Sequence, residues 1–423
     1  MSIKHLYEDE RPTLLLDFAN SKTLDPRITF ERQSIGTYVD EAGIIRTAAD
    51  NEARFDHDPV TGESLGLLIE PTATNLSINS ETNWDTSNPQ ITADTTVLNP
   101  SGGTNTFRCD IPSGVTGYTN YKSSGYSQPT LAATDVFSWS TYVKPTGGWT
   151  KLAVKPTWEG NVQAFFLLEG EGSIVSGNPN VCFIKNVGNG WYRLGFIRTG
   201  TWYRTGWELF SWDYRANGGA KLTNWATATG TGLYFNVWGT QLEIKGNVDY
   251  GANPIDSLSS YIPTSGSTVQ RLADEASITG TNFSSWYNQS EGTVQVKYSS
   301  PTDTSSAYKR LVSISDSSQN TMSANNGFLY GSHSPSTSTR WMARNGASIW
   351  YVALASPASL SSAIAYQDDN LAVSYDGATV LTNTSFTVSS LPSRLDFYPN
   401  GHISRLAYYN TRLSNTALEA LTK

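Results

Sequence analysis

Hydrophobic and polar residues alternate with a period of two along most of this chain, the spacing that sends successive side chains to opposite faces of a β-strand. VFSWSTYVKP (Val136 to Pro145), KLAVKPTW (Lys151 to Trp158), NVQAFFLL (Asn161 to Leu168), WYRLGFIR (Trp191 to Arg198) and LYFNVWGTQLEI (Leu233 to Ile244) are five such runs. Turn residues separate them at short intervals, the pattern of an antiparallel sandwich. A second group follows: EGTVQVKYSS (Glu291 to Ser300), RLVSISD (Arg310 to Asp316), IWYVALA (Ile349 to Ala355), NLAVSYDGATVLTNTSF (Asn370 to Phe386) and RLDFYP (Arg394 to Pro399). Ahead of both groups, TYVDEAGIIRTA and RFDHDPVTGESLGLLIE predict two hairpins turned at Asp40–Gly43 and Pro59–Gly62, with a glycine to take a positive φ in each. The one good helical pattern follows Leu413, where Ser414 or Thr416 can cap and Thr416 with Glu419 fits a capping box. The reading is an all-β chain: an N-terminal hairpin segment (1–70), two antiparallel β-sandwiches of jelly-roll type (71–262 and 263–423) and a short C-terminal helix. The N-terminal segment carries too little apolar sequence for a core of its own, so it is expected to pack on a neighbour or a partner chain.

Composition narrows the functional classes. The 423 residues carry a formal net charge of -8, and no Lys/Arg run supplies the field that nucleic acid binding requires. Charged residues are 16% of the chain, so Ser, Thr, Asn and Gly cover the surface, as in extracellular or virion β-proteins. The N-terminal MSIKHLYEDERP has no apolar core of a secretory signal, and no apolar stretch approaches the length of a membrane span. Neither secretion nor membrane insertion is therefore expected. The two cysteines, Cys109 and Cys182, fit either a disulfide or two separate thiols.

Three phrases at the joints of the pattern carry more information: Pro12 to Leu76, SYIPTSGSTVQRLADEASI (Ser260 to Ile278), and HISRLAYYNTRLSNTALEAL (His402 to Leu421). Together they resemble tailed-bacteriophage virion proteins of the tail-fibre and tail-associated type. The resemblance implies that the first sandwich is carbohydrate-module-like and the second concanavalin A-like (laminin-G-like). It also implies that the first strand of the second sandwich, within ADEASI (Ala273 to Ile278), pairs with the terminal strand HISRLAYYN. It implies a virion location, other virion proteins as partners, docking through the N-terminal segment and a homo-oligomer, by default a trimer. Host-surface polysaccharide is the implied ligand. A purely structural head or tail decoration protein, and a glycan depolymerase, are the alternatives.

Catalytic chemistry has little to stand on. Glucanases of the concanavalin A-like fold place Glu-x-Asp-x-x-Glu on one strand to flank the scissile bond. No such spacing occurs in 263–423: Glu291 opens a strand by itself and Glu8-Asp9-Glu10 lies in the N-terminal arm. A Gly-x-Ser-x-Gly elbow, a Walker loop and metal-ligand spacing among His5, His57, His333 and His402 are all missing from the sequence. No enzyme and no cofactor are expected. Asp368, Asp369 and Asn370 are the nearest approach to a calcium loop, and a solvated turn explains them as well.

Aromatic residues are the remaining signal. Sugars stack their C–H faces on flat rings, with polar side chains beside them. The stretch Thr201 to Trp225 gathers Trp202, Trp207, Trp212, Tyr214 and Trp225, interleaved with Arg204, Asp213, Arg215 and Asn217. Trp341 and Trp350, flanking Arg344, form a second candidate glycan surface. A sandwich core demands the same residue types. Trp191, Tyr192 and Trp238, inside phrases of the resemblance, read as scaffold.

Overall fold

The computed structural model describes residues 11–112, 120–127, 136–156, 164–177, 182–199, 206–210, 232–245, 258–299, 309–316, 327–334, 338–345, 348–354, 359–385, 392–398 and 401–423. The described residues form antiparallel strands and three short helices, and the all-β expectation holds.

In the first sandwich a five-stranded sheet runs Asn120–Ser124, Gly206–Phe210, Lys151–Pro156, Ala164–Leu167, Ser173–Gly177. A six-stranded sheet runs Cys182–Asn186, Tyr192–Thr199, Val136–Lys144, Tyr234–Lys245, Thr106–Asp110, Ile91–Asp94. Between them lie Leu152, Val154, Phe166 and Leu209 from the first sheet and Phe137, Trp139, Leu194, Phe196 and Leu242 from the second. The period of two is visible in VFSWS: Phe137 and Trp139 enter this core, whereas Ser138 and Ser140 face the opposite side. That side is buried as well, because the Ser259–Thr264 linker crosses it, which is why small hydroxyls occupy it. Cys109 and Cys182 are free, buried thiols. Their strands are four strand spacings apart, roughly 19 Å, well past the reach of a disulfide.

The second sandwich is built from both ends of the chain. One sheet runs Leu381–Asn383, Leu371–Tyr375, Ser359–Gln367, Glu291–Ser299, Gly401–Tyr409, Ser64–Ile69, Arg54–His57. The facing sheet runs Thr29–Glu31, Glu275–Thr279, Arg394–Phe397, Lys309–Ser315, Gly327–Ser334, Ser338–Asn345, Ser348–Leu354. Two expectations are corrected here. Residues 14–69 are not a segment apart: Leu14–Asp17 pairs with Tyr408–Arg405, Leu67–Ile69 with Ile403–Gly401, and Thr29–Glu31 with Ser277–Glu275. Leu14, Leu16, Phe18, Leu67 and Ile69 share one core with Val294, Ile364, Leu395 and Leu406. A segment too short for its own core has joined one built from the far end of the chain. The ADEASI strand and the terminal strand, moreover, lie in different sheets. Glu275–Thr279 pairs with Thr29–Glu31 and Arg394–Phe397, while the terminal strand's edges are taken by Glu291–Ser299, Leu14–Asp17 and Ser64–Ile69. The N-terminal strands occupy the positions that the resemblance assigned to that pairing.

The two N-terminal hairpin turns form as read, with Gly43 at φ +74° and Gly62 at φ +72°. The C-terminal helix, Asn415–Leu421, is capped by Ser414, whose Oγ accepts from Ala417 N at 3.2 Å. Glu419 does not close a capping box. Its Oε1 accepts from Val380 N at 3.2 Å, tying the helix to the sheet it covers. That sheet face is paved with Ala363, Ala365, Ala372 and Ala407, small enough for Leu418 to approach closely.

This interweaving predicts that deleting residues 1–70 abolishes cooperative unfolding of the second sandwich instead of leaving two intact units. The milder Leu16→Ala should cost about 2–5 kcal/mol, read from the urea midpoint, because Leu16 is 2% exposed. Two undisturbed transitions in the deletion variant would contradict the shared core.

Candidate functional site

Among the described residues, the densest chemistry lies where the N-terminal segment meets the linker. Arg32 and Arg54 from the first phrase, and Arg271 and Asp274 from the second, are at most 1% exposed. Arg32 Nη1 meets Asp274 Oδ1 at 3.0 Å, and Arg54 Nη2 meets Oδ2 of the same carboxylate. Arg54 Nη1 reaches Glu70 Oε2 at 2.6 Å. Ser260 closes the ring: its N–H donates to Glu70 Oε1 and its hydroxyl to Oε2, both at 2.8 Å. The backbone carbonyls of Ala49 and Ser34 take two further donors of Arg32, and that of Thr37 takes one of Arg54, whose Nε is left without a partner. Burial by itself would raise the Glu70 carboxyl. The fields of Arg271 and Arg54, with the Ser260 bonds, outweigh it and hold Glu70 well below the usual carboxylate range. Three guanidinium groups face two carboxylates, so the cluster carries an excess of one positive charge. Arg271 is the least satisfied member: Nη1 lies 3.4 Å from Glu70 Oε2, and none of its three nitrogens makes a hydrogen bond.

Beside the ion cluster, a neutral network ties the linker to the first sandwich. Asn75 donates to the carbonyls of Thr240 (3.2 Å) and Ile262 (2.8 Å) and accepts from the N–H groups of Ser77 (3.0 Å) and Leu242 (3.1 Å). Thr264 and Ser80 exchange bonds, Thr264 N to Ser80 Oγ at 2.9 Å and Ser80 N to Thr264 Oγ1 at 2.8 Å. Tyr261 packs on Trp238 with ring centroids 4.6 Å apart, and Trp191 and Tyr142 complete the cluster. Trp191, Tyr192 and Trp238 are thus buried, as their scaffold reading requires.

Of the seven predicted glycan residues, three lie on described strands. Trp202, Trp212, Tyr214 and Trp225 lie outside the described residues. Trp207 belongs to the strand Gly206–Phe210, pairing in register with Ser123 and Pro156. Trp341 and Trp350 lie on adjacent strands, Trp341 opposite Val352 and Trp350 opposite Ala343, so both positions belong to one face of that ribbon. Asn370 of the calcium candidate is engaged, its Oδ1 accepting from Arg412 Nη2 at 2.9 Å. Among the described residues no group of three or more His, Cys, Asp or Glu is placed to hold a metal. His57 Nδ1 lies 3.0 Å from the Val39 carbonyl, and His402 Nε2 2.8 Å from Asp56, so both hold the N-terminal hairpin in place.

Two surface clefts were not legible in the sequence. One, about 460 Å³, is lined by Thr279, Gly280, Phe283, Ser284, Tyr287, Gln289 and the 392–394 loop of the second sandwich. The other, about 390 Å³, opens between the 58–61 turn and residues 171–172 and 184–186 of the first sandwich, with Asp58, Glu171 and Lys185 on its walls. Both combine residues distant in sequence, and no local motif marks either.

No known protein family matches the sequence, and no curated protein does. Among solved structures, Trypanosoma rangeli sialidase aligns at 13% identity and a TM-score of 0.27, covering 35% of this chain and 25% of the sialidase. The chain thus spans about a quarter of that protein's length. The same sialidase with the inhibitor DANA aligns at 12% identity and a TM-score of 0.27, covering 47% and 41% of the two chains. Mouse laminin α1 chain domains LG4-5 align at 10% identity and a TM-score of 0.20, covering 70% of this chain and 90% of that one. Overlaps this loose carry no argument about function.

The cluster predicts an asymmetric response to substitution. Asp274→Ala, which strands Arg32 and Arg54, should cost about 3–5 kcal/mol, whereas Arg271→Met should be near neutral because it removes the surplus buried cation. Because Glu70 titrates lower folded than unfolded, its contribution is present above the usual carboxylate range and is lost as pH falls through that range and below it. Acid titration of Glu70→Gln, followed by tryptophan fluorescence, should show a shallower loss of stability below pH ~4 than the parent. An unchanged acid limb would remove Glu70 from this role.

Proposed function

We propose that this chain is a non-catalytic structural and adhesive protein of a tailed-phage particle, presenting its sandwiches to host-surface glycans. The observation that carries this reading is the convergence of the resembling phrases on one joint. Arg32, Arg54, Glu70 and Asn75 come from the first, and Ser260, Tyr261, Thr264, Arg271 and Asp274 from the second. The third phrase supplies the strand that the N-terminal residues pair with. What the phrases have in common is a fixed union of two β-sandwiches, which is what a projection under shear needs. Several strand carboxylates are committed to structural partners, which favours a non-catalytic protein: Glu243 to Ser259, Asp396 to Arg394, and Glu291 to the Arg412 N–H.

The interwoven N-terminal segment changes where docking would occur. Residues 14–69 are engaged within the second sandwich, so attachment to a particle falls to surfaces outside those strands, not to a free arm made of them.

Purified chain applied to an array of bacterial surface polysaccharides should bind a subset without releasing reducing ends, and should sediment as a homotrimer. Antibody raised against the chain should decorate particles at the tail by electron microscopy. Label confined to the head with no glycan bound would favour the decoration reading, and released reducing ends would favour a depolymerase.

A further inference from the structure

The cleft at the end of the second sandwich has the construction of a small-ligand site. Thr279 and Arg394 are directly opposed in the pairing of Glu275–Thr279 with Arg394–Phe397, so their side chains leave the same face at the same level. Immediately after Thr279 the chain turns at Gly280, which has φ +58° and nothing within 4 Å of where a Cβ would stand, so the mouth stays open. The helical turn Gly280–Ser284 then delivers Phe283, which is buried, and leads to Tyr287, which is half-buried. Their rings stack with centroids 4.7 Å apart and form an apolar floor. That floor is rigid, since Tyr287 also packs against Trp286 and Tyr408. Polar groups ring it: Thr279, Ser284 and Ser393 are exposed, and Gln289 is held by the Tyr287 hydroxyl donating to its Oε1 at 3.3 Å.

Charge decides the class of ligand. Among the described residues lining the cleft, Arg394 is the one charged side chain. Asp396, two residues along the same strand face, takes its Nε at 2.8 Å and its Nη2 at 2.5 Å. The pair cancels, so the cleft offers no net field to a phosphate or a carboxylate. It does offer a guanidinium whose orientation is fixed in advance and whose Nη1 edge lies outside the pair, a donor for a hydroxyl oxygen. An apolar floor, a rim of hydroxyl and amide groups and a neutralised arginine fit a ligand that is hydroxyl-rich, uncharged and apolar on one face.

We propose that this cleft, lined by Thr279, Phe283, Tyr287, Gln289 and Arg394, binds a neutral saccharide. The proposal rests on the glycan-contacting reading above and assigns that contact to a place in the fold. A cleft of about 460 Å³ takes one or two sugar rings, the end or a branch of a polysaccharide.

The test is calorimetric and NMR titration of the full chain with neutral gluco-, galacto- and manno-oligosaccharides, and in parallel with sialylated and uronate-containing ones. Expected is binding of a neutral oligosaccharide that Thr279→Arg weakens at least tenfold by filling the mouth, with the melting temperature unchanged. The Thr279 side chain makes no capping bond that the substitution would break. Gln289→Ala should weaken binding in the same sense, and Thr279→Ser should leave it intact. A neutral saccharide that binds Thr279→Arg as tightly as the parent would overturn the cleft while leaving the adhesive reading standing. Preference for acidic saccharides would overturn the neutral class. Failure of every saccharide to bind the parent chain would remove both the cleft and the glycan contact.

Discussion

A carboxylate with no exposed surface has to be answered by cations, and Asp274 is answered from two directions at once. Arg32 and Arg54 reach it from a segment more than 200 residues earlier, and its Oδ2 also accepts the Glu70 N–H at 2.8 Å. Much of the architecture follows from that constraint. The arginines can be buried only if the N-terminal hairpins lie against the linker. The linker can lie there only if Ser260 and Tyr261 are seated on the first sandwich. Each charge is costly to bury singly and tolerable in the assembled set, so the joint forms as a whole or not at all. It supplies specificity of placement more than net stability, and the unsatisfied guanidinium of Arg271 is what that specificity costs.

The apolar cores supply the stability, and they were the legible part of the molecule. Runs such as VFSWSTYVK and EGTVQVKYS formed strands within a residue or two of their predicted bounds, because a half-buried strand writes its burial directly into alternate positions. The Asp40–Gly43 and Pro59–Gly62 turns were equally plain, since few residues tolerate a positive φ. What the pattern could not convey was partnership. Leu67 and Ile69 announce a strand of the second hairpin, but a period of two is silent on which edge will receive it. The expected pairing of ADEASI with the terminal strand failed at that point, because strands of the N-terminal segment took the edges of both.

The candidate site divides along the same line. Aromatic density drew attention to Trp202 through Trp225, a stretch of which only Gly206–Phe210 is described, while the cores hold Trp139, Trp191 and Trp238. The cleft at Thr279, Gln289 and Arg394 has no local signature, because it exists only when two strands align in register. Its polar residues are common ones, and only the Arg394–Asp396 spacing of two, which places both on one strand face, could have drawn notice.

The pairing of Leu14–Asp17 with Tyr408–Arg405 also sets the order in which the chain can be completed. The Thr13 hydroxyl and Tyr408 carbonyl that meet across it are 395 residues apart. On a ribosome, the first strand emerges long before its partner is made, and so do Leu67 and Ile69. Until Gly401–Tyr409 has been made, the strand edges that pair with it stay open. The first sandwich, whose described strands lie between Ile91 and Lys245, can close in the meantime. The second cannot close before the terminal strand leaves the exit tunnel, and in that interval the nascent N-terminus exposes open strand edges. High concentrations of nascent chains would therefore invite one copy's N-terminal strands into another copy's unfinished sheet. Slow synthesis and low crowding would favour each chain closing on itself.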